Sequence, residues 1–465
     1  MSANIDRSLN FWTEIKNIFN KISDKFDAKW QKRKRVLNTR LLVAIILKLV
    51  QSKNRQGYGS ILMQFWEVCT EKNIELLQVN SVSASSLCEA RQKLSEDIFK
   101  ELNQDLVTHW QKNQDLPSWK THRIFAVDGS PVNVPRELIN DGYKLYAQER
   151  GRYYPQGLMS CLYNLQEKII YDFDFVTHMN ERTCALQHMK KLTSKDIMVF
   201  DRGYFSYLLL YKMLEQGVQG IFRLQVQEGG TNSKVLDFWK SHQDDIVIEY
   251  IPSTTMKYDL KKKGFDLDIK PLTVRLIKHK INNEIYVYAT TLIGETYPKE
   301  CFAEIYHGRW GIEELYKISK KFIEIENFHS KTARGVKQEL YAHLLLINIA
   351  RFVEFEAKNF LPPYEKDKAD DTQNAKDFSN IFNPITILNI NFKNCLLVIG
   401  RYLENLILAP CEQLLDWLPK ITSSIARIRQ KIRPKGLSLN RHYPRISHKP
   451  RDKWTSYRNL KGLIA

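Results

Sequence analysis

Two aspartates in this chain close short apolar runs. Asp128 follows Ile-Phe-Ala-Val and Asp201 follows Ile-Met-Val-Phe, and each has a glycine within the next two residues. Such runs read as strands, whose ends are rigid places from which a carboxylate projects into solvent or onto a metal ion. The glycine lets the chain turn sharply and another backbone come close. An Asp-Gly pair can equally be no more than a turn. A third acid, Glu313, sits in a different setting. Tyr306, Arg309, Glu313, Lys317 and Lys320 are separated by 3, 4, 4 and 3 residues. At about 100° per residue they fall on one helix face. One carboxylate among several cations and a tyrosine is an unusual stripe for a helix that merely packs. The plainer reading is a set of solvated i,i+4 ion pairs. Trp310 and Ile312 lie off the stripe and are expected to anchor the helix to the core.

The elements that must position these residues follow from the periodicity. Ile124–Val127, Leu158–Leu165 and Ile169–Val176 have strand composition, with a turn at Gln166–Lys168. Glu181–Leu192 reads as a helix, Ile197–Phe200 as a strand, Phe205–Gln216 as a helix and Gly220–Gln225 as a strand. Strand, strand, strand, helix, strand, helix, strand is the order of an RNase H-like core, an α/β sheet with three leading antiparallel strands. Residues 227–300 break the pattern with strand-like runs and lysine-rich turns, which predicts a β-rich insertion. Helices are expected at about Phe302–Ile325 and Lys337–Phe355, then at Ile385–Leu408 and Cys411–Arg429. Before the core, residues 1–118 read as helical. Ser81–Ile98 opens on a serine cap, with Arg91 and Lys93 expected on the helix surface. Residues 358–380 read as a charged loop or linker.

The chain has 465 residues, a net charge of +18 and a pI near 9.3. A surplus of that size points to a polyanionic partner, nucleic acid or an acidic membrane surface. It is concentrated at the end, where residues 420–465 hold 13 Lys/Arg against the single acid Asp452. The seven cysteines are scattered without a C-x-x-C pair, which speaks against a zinc site or a disulfide framework and fits a reducing cytosol. The N-terminus does not have the pattern of a signal segment. The most apolar run, Leu41–Val50, is broken by Lys48 and too short to span a bilayer, so it reads as a buried helix with no membrane role.

The spacing Y-x-x-R-x-x-x-E-x-x-x-x-x-x-K, filled by Tyr306, Arg309, Glu313 and Lys320, resembles the YREK signature of the insertion sequence four (IS-four) family of bacterial DDE transposases. Asp128 in VDGS and Asp201 in FDRGYF look like that family's two other acidic motifs, and the resemblance covers roughly residues 80–350. It implies an RNase H-like catalytic domain (residues 119–226 and 301–357) interrupted by the insertion at 227–300. A helical DNA-binding domain at 1–118 would precede it, and a helical region with a basic tail at 358–465, for dimerisation or DNA contact, would follow. The implied activity is metal-dependent cleavage at transposon ends and strand transfer into target DNA. Asp128, Asp201 and Glu313 would hold two Mg²⁺ ions, with Mn²⁺ able to substitute. Tyr306, Arg309, Lys317 and Lys320 would contact DNA, and Trp310 or Trp239 would stack on a flipped base. The implied partners are double-stranded DNA and a second copy of the chain in a synaptic complex, in a bacterial cytoplasm at the nucleoid. The alternatives are an RNase H-like nuclease that does not join ends and a domesticated DNA-binding protein without catalysis.

Overall fold

The computed structural model describes residues 2–31, 35–51, 56–114, 116–148, 152–226, 232–265, 267–281, 284–358, 388–427 and 429–431. Five helices come first: α1 (Ser2–Trp30), α2 (Thr39–Leu49), α3 (Tyr58–Glu71), α4 (Ala84–Lys93) and α5 (Asp97–Asn113). The expected buried helix is α2. Asn38 caps it by accepting from the Leu41 amide at 2.8 Å, and its apolar residues are buried on every side, as a helix inside a layer of helices must be. Ser83 caps α4 in the expected way. Lys93 is exposed, but Arg91 is not on the surface: it is 5% exposed. Its guanidinium donates to the side chains of Glu339 (2.8 Å), Gln338 (3.1 Å) and Tyr58 (2.9 Å) and to the Gly335 carbonyl (3.0 Å). A buried cation is tolerable here because acceptors surround it.

The sheet follows in the order β1 (Arg123–Asn133), β2 (Lys144–Gln148), β3 (Arg152–Asn164), β4 (Ile169–Val176), α6 (Glu181–Met189), β5 (Asp196–Phe200), α7 (Tyr207–Gln216) and β6 (Gln219–Leu224). Apart from β2, this is the order the periodicity predicts. Residues 227–300 supply β7 (Asp245–Tyr250), β8 (Leu272–Ile281) and β9 (Glu284–Thr290), together with α8 (Ser233–Lys240) and α9 (Thr254–Lys262). The strands form one mixed sheet in the order β2-β3-β1-β5-β6-β9-β8-β7, with β4 also paired to β3. Strand β5 pairs in parallel with β1 and β6, and the other described pairings in this sheet are antiparallel. All of β5 is buried, as a parallel strand covered on both faces should be. The alternation along β1 divides two cores. Ile124 and Ala126 join the face covered by α1–α5 and the later helices, while Phe125 and Val127 face α6–α9.

The expected helix at Phe302–Ile325 is instead α10 (Glu300–Gly308) and α11 (Trp310–Lys317), separated by a turn at Arg309 and ending in a π-helical turn at Ile318–Phe322. The long helix α12 (Ala333–Lys358) is buried for most of its length and packs against α2, α5, β4, α13 (Phe392–Ile407) and α14 (Leu414–Ala426). Helix α13 starts later than the sequence pattern suggests, because β10 (Leu388–Ile390) precedes it and pairs with β11 (Arg429–Lys431). Residues 359–387 and 432–465, which hold most of the expected linker and of the basic tail, lie outside the described residues. No described helix is long and apolar enough to cross a membrane.

Candidate active site

The site begins with register. In the parallel β1/β5 pair, Phe125 is opposite Met198 and Ala126 opposite Val199. Two residues beyond the last of these pairs come Asp128 on one chain segment and Asp201 on the other. Both continue the side-chain alternation of the helix-covered face, Ile124 and Ala126 on one strand, Ile197 and Val199 on the other. Strand β5 stops at Phe200 while β1 runs on to Asn133 against β3, so Asp128 stands at a notch in the sheet. Its backbone is held on two sides: Asp128 pairs with Cys161 of β3, and the Tyr316 hydroxyl donates to the Asp128 carbonyl at 2.6 Å.

Helices α10 and α11 bring the third acid. Ile305, Ile312, Leu315 and Tyr316 are buried against the sheet, which turns Tyr306, Arg309 and Glu313 toward the strand ends. The Tyr306 hydroxyl donates to Asp201 Oδ1 at 2.7 Å. Arg309, 6% exposed, donates to Glu313 Oε1 at 2.6 Å and lies 3.9 Å from Asp201 Oδ2. Its charge also acts on Asp128. One guanidinium thus ties the three acids together electrically. Lys320 donates to the Pro131 carbonyl at the far end of β1. Lys317 is exposed. The expected single stripe is therefore divided: Arg309 is buried, Lys317 is exposed, and Lys320 lies in the π-turn, whose spacing differs from that of an α-helix. Trp310 does not anchor the helix; it is 59% exposed at the turn, and Ile312 alone of the pair is buried. Trp239 is half-buried and packs against the core on the other side of the sheet.

Two further residues belong here that the sequence reading did not single out. Glu181 opens α6 directly after its cap Asn180, and its side chain lies against Gly129. Arg223 on β6 stacks over Tyr286 (4.4 Å) and reaches the ring of Tyr306 (5.7 Å). Neither carries a local sequence signal; only the strand order brings them to the notch. The electrostatics follow from these neighbours. Burial, and next the charge of Glu181, push the Asp128 carboxyl up to about 7. Burial acts the same way on Asp201, but the Tyr306 hydroxyl and the Arg309 charge outweigh it and hold that carboxyl below its ordinary value. Glu181 is raised by burial and by Asp201. The two aspartates, alike in sequence, are thus shifted in opposite directions.

Residues 119–349 match the family of the transposase DDE domain. The chain is 23% identical to the transposase InsG for insertion sequence element IS4 of Escherichia coli K12 over 288 residues, 61% of this chain and 64% of that protein. It is also 23% identical to the transposase for insertion sequence element IS231F of Bacillus thuringiensis subsp. israelensis over 293 residues, 54% of this chain and 60% of that one. The matches therefore span under two thirds of either relative. Among solved structures, a piggyBac transposase synaptic complex with hairpin DNA aligns over 90% of this chain and 84% of that one at 12% identity, with a TM-score of 0.40.

Proposed function

This chain belongs to the DDE transposases of the IS4 type, and we propose that it cuts DNA at the ends of a mobile element and joins the freed 3′-hydroxyl to target DNA, with Asp128, Asp201 and Glu313 as its catalytic carboxylates. The observation that carries this reading is the meeting of β1, β5 and α11 around Arg309, which sets acids from three distant parts of the chain about one guanidinium. The strand order supports an RNase H-like core for residues 119–226 and 301–357. With β2 set aside, it runs β4-β3-β1-β5-β6, with parallel pairing where β1, β5 and β6 meet. Residues 227–300 are then an insertion that prolongs the sheet, residues 1–118 a helical domain for the transposon end, and residues 358–465 a region for dimerisation or DNA contact.

Phosphodiester cleavage by such a site calls for two divalent ions, Mg²⁺ with Mn²⁺ able to substitute. The residues present fit them by donor chemistry, because every candidate ligand is a carboxylate oxygen, the kind hard divalent ions prefer. Burial, and after it the charge of Glu181, raises the Asp128 carboxyl, and a bound cation would act in the opposite direction. Among the described residues no three His, Cys, Asp or Glu side chains are already grouped to hold an ion. Arg309 is bonded to Glu313 at that place, so Arg309 has to turn aside before the acids can close on a common ligand. When bound, the ions make an attacking water or 3′-hydroxyl a better nucleophile and stabilise the leaving oxygen.

The chain's own residues do the rest. Tyr316 and β3 fix the Asp128 backbone, and Tyr306 orients Asp201. Arg309, released from Glu313, offers its planar fork to a phosphate next to the scissile bond. Lys317 and Lys320 add charge along the same strand, and exposed Trp310 is the ring available to a flipped base. Two copies of the chain would hold two double-stranded ends together in the synaptic complex, in the bacterial cytoplasm at the nucleoid. The test is cleavage of the element's own flanking ends with Mg²⁺, followed by joining of a pre-cut 3′-hydroxyl end. Wild type should yield both products, and Asp128→Ala, Asp201→Ala and Glu313→Ala neither. Equal product from all four proteins removes the proposal; cleavage without joining reduces it to a nuclease.

A further inference from the structure

We propose that Glu181 is a fourth carboxylate of this active site, supplying a ligand oxygen beside Asp128. The inference rests on the metal-dependent reading above and adds to it a residue outside the three acids of the DDE set. Its basis is geometric. Helix α6 starts at Glu181, after Asn180 has accepted the Thr183 amide at 3.2 Å, and this first residue overhangs the notch where β5 ends and β1 continues. The Glu181 side chain presses on the peptide that follows Asp128. A Cβ placed on Gly129 would stand 2.8 Å from Glu181 Cγ and 2.9 Å from Glu181 Oε1, closer than Cβ atoms approach other groups. Gly129 thus has a physical reason beyond turning the chain: a side chain there would collide with Glu181 and with Leu158, whose Cδ1 would also stand 2.8 Å from its Cβ.

The local chemistry points the same way. Arg182, the adjacent cation, turns its Nε to the Gly203 carbonyl at 2.7 Å, and Arg309 is engaged with Glu313 and lies near Asp201. Tyr204, also buried at this place, brings no charge of its own. The charge of Glu181 acts on Asp128, and two carboxylates that repel in this way are relieved by a cation supplied from outside. Glu181 is also reachable, because it lines an open groove of about 860 Å³ between α6, α7 and α9. Glu181 therefore lies between that groove and the peptide that follows Asp128. Glu313, held by Arg309, approaches from the helical layer of α11, and Asp201, held by Tyr306, from the end of β5.

The test is titration of the full-length, DNA-free protein with MnCl₂, read by the electron paramagnetic resonance of free Mn²⁺, for wild type, Glu181→Gln, Glu181→Asp and Asp128→Asn. Glu181→Gln keeps the volume and removes the charge; it should weaken Mn²⁺ binding by about tenfold to a hundredfold. Glu181→Asp, which keeps the charge on a shorter arm, should fall between. Cleavage by Glu181→Gln should recover in part as Mn²⁺ is raised, which a merely misfolded variant would not do. Far-UV circular dichroism checks that the variants are folded. If Glu181→Gln fails that check, the comparison of Glu181→Asp with wild type decides. Wild-type Mn²⁺ affinity in the folded Glu181 variants, with binding lost in Asp128→Asn, overturns this inference and leaves the three-acid site standing. Wild-type affinity in Asp128→Asn as well overturns both.

Discussion

Asp128→Asn should make the metal-free protein more stable while abolishing cleavage. Burial, followed by the charge of Glu181, pushes the Asp128 carboxyl from its ordinary 3.8 to about 7. Below about pH 4 the acid is protonated in the folded and the unfolded chain alike, and it contributes nothing. Between about 4 and 7 the unfolded chain gives up the proton that the folded chain retains, so the folded state loses ground as pH rises. Above about 7 both are ionised and the loss is complete. At about 1.4 kcal/mol per pH unit the full extent is about 4 kcal/mol. Glu181 and Asp201 titrate together with Asp128 and side chains relax, so a gain of about 1–3 kcal/mol is the expected size at pH 8. Urea titrations in EDTA at pH 4 and pH 8 measure it. The gain should be present at pH 8 and vanish at pH 4. Saturating Mg²⁺ should reverse the order, since an ion at a hundred times its Kd stabilises the protein that binds it by about 2.7 kcal/mol. A variant no more stable than wild type at pH 8, or equally stabilised at both pH values, refutes the reasoning.

Tyr306→Phe removes the donor that holds Asp201 in its charged form, so the acid limb of the cleavage rate should move to higher pH and the rate fall about tenfold or more; an unmoved limb contradicts the role given to Tyr306. Arg91→Ala leaves Glu339 charged and buried without its main partner, and should lower stability by about 3–5 kcal/mol in urea titrations, against a smaller loss if Arg91 were a surface residue. Trp310→Ala should abolish the fluorescence change of a 2-aminopurine placed at the transposon end while Trp239→Ala, altering a half-buried side chain, should not; the reverse pattern would assign the stacking to Trp239.

How much was legible depended on whether a signal was local. Asp128 and Asp201 stand out because a run of four apolar residues and a following glycine are contiguous in sequence. Helix α6, strand β4 and the parallel strand β5 could be read for the same reason, and β5 most plainly, since burial on both faces leaves no polar interruption. Strand β2 escaped because Lys144–Gln148 mixes polar and apolar residues at an edge of the sheet, where one side is unpaired. Arg91 was misjudged because its acceptors on α12 lie more than 240 residues away. The stripe on Glu313 was read as one helix because spacing cannot reveal a turn at Arg309 or a π-turn at Ile318. Trp310 at the start of α11 is exposed, and the π-turn takes Lys320 out of the regular spacing. Glu181 was invisible for a deeper reason. It becomes a neighbour of Asp128 only when α6 has crossed the sheet, and nothing in MNERT announces that position.

A cluster of like charges at a notch in a sheet works against folding, so the rest of the structure has to hold Asp128 where repulsion would move it. The hydrogen bonds trace how. On α12, Asn348 accepts from the Ile170 amide at 2.9 Å and donates to its carbonyl at 2.7 Å, and it donates to Asn103 of α5 at 2.6 Å. Tyr341, two turns earlier, donates to Asp174 at 2.9 Å and accepts from the Phe175 amide at 3.2 Å. Helix α12 therefore clamps both halves of β4, an outer strand. Strand β4 is paired to β3 from Ile169 to Val176, and β3 to β1 from Phe125 to Asn133, with Asp128 opposite Cys161. Below β3, Ser160 is hydrogen-bonded to His188 at 3.1 Å and His188 to Asp172 at 2.7 Å, which ties α6 to the same two strands and so fixes the helix that starts at Glu181. Each link is buried or paired in the sheet, and each lies on a strand or helix rather than a loop. The acids stay close because rigid elements leave them little path apart, and the Arg309 guanidinium, bonded to Glu313, stands among them.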